Sequence, residues 1–274
     1  MRLVLAILFC GILCCSLTWA QQSEGGVTGP GMQNAPAPPA GFEPPSPSAS
    51  LEELEARADD FRRQKSFADA IEYYRAALTH AQHKTARAAL HNKIGISELQ
   101  LQRFHEAEKS FQRALKLQRE FVEARNNLGV SFYLEKKYPR AIKEYQEAVR
   151  LEDDNAAFHN NLATAYFAHK ELDAAMAEYA RAFQLDPTVF ERTSRGGISA
   201  KLANPENRAE YSYMLARVYA KLGDLDHSLL YLKKAMEDGF KNIDNVYKDT
   251  DFAALRADPR FTQLMASRPV AIPE

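Results

Sequence analysis

The sequence predicts an all-helical protein, an α-solenoid of about five stacked helix hairpins with a short helical cap at its C-terminal end. Three observations carry this. Asn92-Lys93-Ile94-Gly95 recurs as Asn126-Asn127-Leu128-Gly129 and again as Asn160-Asn161-Leu162-Ala163. Ala107, Ala141 and Ala175 stand 34 residues apart, as do Phe111, Tyr145 and Tyr179, and Ala114, Ala148 and Ala182. A strict period of this size marks a stacked repeat. Within one period, Leu128, Gly129, Phe132 and Tyr133 have helical spacing; after Lys136-Lys137 the pattern resumes with Tyr138, Ala141, Ile142, Tyr145, Ala148 and Val149. That is two amphipathic helices and a tight turn, with small residues where the backbones approach and aromatics filling the space around them. One such hairpin cannot bury its apolar face alone, so neighbours must stack.

Residues 1–20 stand apart. Arg2 precedes an uncharged apolar run that ends at Thr18-Trp19-Ala20, the pattern of a secretory signal peptide cut near Ala20. Two alternatives stay open: retention as a membrane anchor, marginal in length for a span, or lipidation at Cys14 or Cys15. The three cysteines, Cys10, Cys14 and Cys15, all lie here, so cleavage leaves a chain without disulfide, thiol nucleophile or cysteine metal site. Residues 21–50 hold seven of the 13 prolines (Pro30, Pro36, Pro38, Pro39, Pro44, Pro45 and Pro47) and read as an extended linker.

Repeats one to four occupy 51–189. Repeat one carries Ala58, Phe61, Phe67, Ala70, Tyr74 and Ala77. It is offset from repeat two by 37 residues (Ala70 to Ala107), and the three extra residues around His80 to Arg87 are expected to lengthen the connecting turn. Repeat two carries Gly95, Phe104, Ala107, Phe111 and Ala114, with Glu98 where an aromatic belongs and Leu99 and Leu101 as candidates to compensate. Repeat four carries Ala163, Tyr166, Leu172, Ala175, Tyr179, Ala182 and Pro187. Asp153-Asp154 is expected to cap the turn that follows it. Residues 190–208 are an insertion with turn signals at Gly196-Gly197 and Asn204-Pro205, read as a spacer or as a loop over the groove. Repeat five, 209–242, carries Ala216, Tyr219, Gly223, Leu225, Ser228, Leu232 and Ala235. In 243–267, Asp258 suits a cap and Pro259 a first helical position; Phe252, Leu255, Phe261 and Leu264 are placed to seal the last repeat. Residues 268–274 form a tail.

The residues just quoted resemble the tetratricopeptide repeat, whose pattern is a small residue and an aromatic in the first helix, then Ala, aromatic and Ala in the second. The D-P-R-F segment at Asp258 is similar to the end of many bacterial extracytoplasmic repeat proteins. The resemblance implies a right-handed superhelix whose first helices line a concave groove. Groove positions then fall at Asn92, Ile96 and Leu99; Asn126, Val130 and Tyr133; Asn160, Thr164 and Phe167; and Tyr213 and Arg217. Asn127 and Asn161 join the row of amides, which resembles the asparagine ladder of some peptide-binding repeat proteins. An amide has donors and an acceptor and can pair with an extended backbone of any sequence; the alternative is that each bonds to the neighbouring repeat. Chaperone adaptors of this family grip a carboxylate with basic residues where repeat one has Glu55 and Asp59, so that mode is not expected here.

Composition is ordinary, 46% hydrophobic and 26% charged, with a formal net charge of −1 that gives no basic field for nucleic acid. The phosphate-binding Gly-rich loop, G-x-S-x-G and H-E-x-x-H are all missing from the sequence, and the His80/His83 pair lacks a third metal ligand nearby. The expectation is a non-enzymatic, exported scaffold without cofactor or metal, binding a protein or peptide in its groove through Asn92, Asn126, Asn127, Val130, Tyr133, Asn160, Asn161, Thr164, Phe167 and Arg217. Its location would be extracytoplasmic, periplasmic or secreted, with a membrane involved only if the N-terminal segment is retained or lipidated. The alternative is a membrane-anchored structural or assembly factor that works through its convex face.

Overall fold

The computed structural model describes residues 43–190 and 205–268, of which 205 and 206 by backbone only. The expected signal peptide, most of the linker, most of the insertion and the end of the tail lie outside the described residues. Within them the chain is helical, with no strand. Ser50 starts α1 (Leu51–Arg63) with a reciprocal capping box: its hydroxyl accepts from the Glu53 amide, and the Glu53 carboxylate accepts from the Ser50 amide at 2.8 Å. The helices then run α2 (Phe67–His80), α3 (Lys84–Gln100), α4 (Phe104–Leu117), α5 (Val122–Leu134), α6 (Tyr138–Leu151), α7 (Ala156–Ala168) and α8 (Leu172–Leu185). After the undescribed stretch come α9 (Pro205–Lys221) and α10 (Leu225–Glu237), two 3-10 turns (Ile243–Tyr247 and Thr250–Phe252), α11 (Ala253–Arg256) and α12 (Pro259–Ser267). No helix among the described residues is long and apolar enough to cross a membrane.

Several local expectations change. The extra residues between repeats one and two extend α3 backwards to Lys84 and leave only Ala81–His83 as the connection. They lengthen a helix, because Ala86, Ala88 and Ala89 favour continuing it. The first helix of repeat five begins at Pro205, inside the segment read as an insertion. Asn155, not Asp153 or Asp154, caps α7, its side-chain oxygen accepting from the Ala157 amide at 3.1 Å. Asp258 caps α12 by accepting from the Arg260 amide, and Pro259 takes the first turn. At the aromatic position of repeat two Glu98 itself is buried, 4% exposed, taking a hydrogen bond of 2.7 Å from the Ser110 hydroxyl, and Leu99 packs against the neighbouring core.

Each hairpin closes in the same way. Lys65, Gln102, Lys136, Lys170 and Gly223 have positive φ, between 58° and 80°. Around Lys136 the Lys136 amide donates to the Tyr133 carbonyl and the Lys137 amide to that of Phe132; the other four turns repeat this double bond. It ends a helix by satisfying its last carbonyls, and it requires one left-handed residue. Glycine adopts that backbone without penalty, yet only repeat five uses one.

Inside a hairpin the approach is closer than two backbones flanked by rings. A Cβ built on Gly95 would stand 2.6 Å from the Phe111 ring, and one on Gly129 2.6 Å from the Tyr145 ring. The aromatic of the second helix lies directly on the bare glycine of the first. Ala107, Phe111, Ala114, Ala141, Tyr145, Ala148, Ala175, Tyr179 and Ala182, the residues that defined the period, are all buried. Each such ring contributes roughly 2–3 kcal/mol from burial.

Between hairpins, α3 touches α5 and α5 touches α7, whereas contacts between successive second helices are sparser. The first helices are therefore crowded on the inner side of the array. Behind them, Arg125 ties α5 to α6 and to the preceding connection, donating to Glu144 at 3.1 Å and to the Arg119 carbonyl at 2.9 Å. His159 does the same one repeat later, 2.6 Å from Glu178 and 2.9 Å from the Asp153 carbonyl. Towards the C-terminus the core becomes aromatic: Tyr179, Phe190, Tyr211 and Tyr219 sit in one cluster with ring centroids under 6 Å apart in several pairs. Phe252, Leu255, Phe261 and Met265 are buried in that same cluster, with Leu264 at its margin.

Candidate functional site

The inner face is built from equivalent positions of α1, α3, α5, α7 and α9, and its polar groups obey one rule. The residue two places before the small residue of a repeat donates to the residue three places before the small residue of the preceding repeat. Asn127 Nδ2 donates to Asn92 Oδ1 at 3.0 Å, and Asn161 Nδ2 to Asn126 Oδ1 at 2.9 Å. Lys93, in register with Asn127 and Asn161, donates from Nζ to Glu55 Oε1 and to Asp59 Oδ2, both at 2.8 Å. The amides are thus joined in pairs across repeat boundaries, the arrangement in which each bonds to its neighbour, and each keeps part of its hydrogen-bonding capacity for another partner.

The acidic pair of repeat one is neutralised in the same way. Burial pushes the Asp59 carboxyl up, but the bonds from Lys93 and from the Tyr74 hydroxyl outweigh it and hold it below the usual range. Lys93 is raised despite its burial by the same two acids. Glu55 and Asp59 therefore do not stand as unpaired negative charges. Sequence reasoning passed over Lys93; the signal was its place in the 34-residue register of the asparagines.

The rule stops at repeat five. The donor position there is Met214, which has no N–H to offer, and Asn160 is left 3% exposed with its Oδ1 unpaired. Thr164 is buried too, donating to the Asn160 carbonyl at 2.6 Å and lying 3.0 Å from the Tyr179 hydroxyl. Phe167 is buried edge-on against Tyr211. Arg217 is engaged by Asp251 at 2.8 Å and Asp249 at 3.5 Å. Asn160, Thr164, Phe167 and Arg217 were expected on the groove surface; burial withdraws the first three, and Arg217 is held by the segment after repeat five.

What remains open lies over repeats two and three. Ile96, Leu99, Val130 and Tyr133 are partly buried, packed at the margin of the core formed by Phe111, Leu128, Phe132 and Tyr145. Asn126, Asn127 and Asn161 are half-buried beside them; Asn92, also expected on the groove surface, is buried at 8% exposed and is withdrawn from it. Burial pushes the Tyr133 hydroxyl up to about 12, so it is a donor at any physiological pH. A concavity of about 240 Å³ lies between α8, α9 and residues 240–249. Tyr213 stacks on Phe240 there, 4.3 Å between centroids, and donates to Asp249 at 2.8 Å; Glu210 is held by Lys170. Among the described residues no group of three or more His, Cys, Asp or Glu is placed to hold a metal ion.

Tetratricopeptide-repeat models match residues 92–154, 136–189 and 209–237, and those stretches are tetratricopeptide repeats. No protein with a curated description matches the sequence. The fold is similar to that of MamA from Desulfovibrio magneticus RS-1, 18% identical, covering 70% of this chain and 96% of that one with a TM-score of 0.50. YrrB, a TPR protein with an unusual peptide-binding site, is 17% identical over 73% of this chain and 91% of that one, TM-score 0.47. The first TPR of Spaghetti (RPAP3), bound to an HSP90 peptide, is 21% identical over 44% of this chain and 94% of that one, TM-score 0.41.

Proposed function

We propose that the protein is a non-catalytic interaction scaffold that holds an extended segment of another protein along the inner face of α3, α5 and α7. The observation that carries this reading is the row of Ile96, Leu99, Val130 and Tyr133, left partly exposed on a crowded inner face beside amides with spare hydrogen-bonding capacity. Equivalent side chains of stacked repeats follow one line, and an extended peptide presents its backbone groups along a line. The test is hydrogen exchange on the full chain with a partner captured by it. Protection of 94–100 and 126–134 is the expected result; protection confined to α4, α6 and α8 would overturn the reading and favour the convex face.

This reading includes export. It rests on the basic start, apolar run and small residues of positions 1–20. N-terminal sequencing of the mature protein tests it: a chain beginning at Gln21 supports export, and an intact Met1 or a lipidated cysteine refutes cleavage at Ala20.

A further inference from the structure

The floor of the groove has a property that selects its ligand. In a chain that is 26% charged, α7 contains no Asp, Glu, Lys or Arg. In α5 the charged residues are Glu123 and Arg125, both in the first turn, and Arg125 is turned to Glu144. In α3, beyond its first turn, they are Lys93, bonded to Glu55 and Asp59, and Glu98, buried against Ser110. Beyond the first turn of α5, where Glu123 is exposed, the inner face between Lys93 and the Lys170–Glu210 pair presents Ile96, Leu99, Val130, Tyr133 and the asparagine pairs, with no unpaired ionic group among the described residues there. The second helices, on the outer side, are densely charged: α6 alone carries Arg140, Lys143, Glu144, Glu147 and Arg150.

We infer that the groove recognises an uncharged, apolar segment held extended. The inference rests on the scaffold reading above. A Lys or Glu side chain laid on this floor loses hydration and meets no counter-ion, which is unfavourable for either sign. A neutral backbone finds the remaining donors and acceptors of Asn126, Asn127 and Asn161 and the Tyr133 hydroxyl, while alternate apolar side chains rest on Ile96, Leu99 and Val130. Two steps between neighbouring helices of about 10 Å each correspond to about six extended residues. The charge-free condition therefore applies to a segment of about that length, and charges flanking it fall where repeat one and repeat five carry their own ions.

The test uses the full chain and blocked, dye-labelled decapeptides alternating Leu, Val or Phe with Ser, Thr or Gln. Two further series place Lys or Glu at three of the central polar positions. Expected is measurable binding of the neutral peptides by fluorescence anisotropy, weakened tenfold or more by Lys and by Glu alike. The Val130→Asp variant should lose the neutral peptides and gain the Lys series. Tyr133→Ala serves as a second variant should Val130→Asp fold poorly, and should weaken the neutral peptides several-fold. If Lys or Glu peptides bind as tightly as neutral ones and still depend on Val130 or Tyr133, the uncharged class is overturned while the groove reading stands. If no series binds, or binding ignores both variants, the groove reading falls and this inference with it.

Discussion

The boundary between repeats three and four and the boundary between repeats four and five solve one packing problem with different chemistry. At the first, the 34-residue step is kept, and an amide on α7 donates to an amide on α5, Asn161 to Asn126 at 2.9 Å. At the second, the step from Ala175 to Ser228 is 53 residues, the donor has become Met214, and the acceptor Asn160 is stranded. What joins α8 to α9 there is an aromatic cluster in which Phe183 and Phe190 both meet Tyr219 edge-on, at 5.1 and 5.8 Å. A hydrogen bond between helices fixes register with little net energy, whereas buried rings supply energy with weaker demands on register. The regular half thus has a precisely indexed groove, and the C-terminal half has the stickier joint.

This contrast is open to direct attack by thermal or urea unfolding. The largest effect is expected from Tyr219→Ala, which should cost about 3–5 kcal/mol as a cavity in the aromatic joint. A loss below about 1 kcal/mol would mean that the joint is not where the C-terminal half draws its stability. Next, Asn126→Leu removes the acceptor of the half-buried Asn161 donor and should cost about 0.5–1.5 kcal/mol, the net worth of one hydrogen bond. Asn160→Leu removes an acceptor that is already unpaired and should be neutral or stabilising. Equal losses at the two positions would erase the distinction between the boundaries.

Glu98→Gln probes the regular half by pH. Burial raises the Glu98 carboxyl above its usual value, so the folded state holds that proton more tightly than the unfolded one does. The resulting penalty is absent in acid, grows as pH rises through the unfolded and then the folded titration, and is full at neutral pH. Gln should therefore stabilise by about 1 kcal/mol at pH 7 and give no advantage near pH 3. A gain that is constant with pH would refute the buried-carboxylate explanation. The smallest effects belong to the hairpin turns. Lys136→Gly should stabilise by about 0.5–1 kcal/mol by relieving a left-handed lysine, and Gly223→Ala should lose a similar amount.

The period-defining alanines and rings are legible in the sequence because burial at a fixed step is a compositional fact, and Phe111, Tyr145 and Tyr179 all stand in the core. The row of groove asparagines is legible as a row, but not its bonding. An amide at a surface-facing position pairs with ligand, water or neighbour according to distances of a few tenths of an ångström, which residue spacing does not encode. Phe167 is covered by Tyr211 of α9, whose place the irregular 53-residue step conceals, and Thr164 meets the Tyr179 hydroxyl of its own hairpin. Lys93 was visible in the alignment of repeats, yet its effect appears only once Glu55 and Asp59 are known to lie opposite it.

The asparagine pairing has a further consequence, for how such a chain can grow or shrink. Every bond in the ladder runs from a repeat to the one before it, and donor and acceptor both recur with each unit. Excising residues 122–155 would bring α7 beside α3 and offer Asn161 to Asn92, an amide for an amide. Duplicating the same 34 residues would insert one more identical rung. A length change of this kind inside repeats two to four leaves every amide of the ladder paired, whereas one made after Asn160 inherits the stranded acceptor. The ladder itself is thus indifferent to tandem gain and loss of whole units; the ion pair from Arg140 to the buried Glu108, which repeat four does not repeat, is what excision of 122–155 would cost.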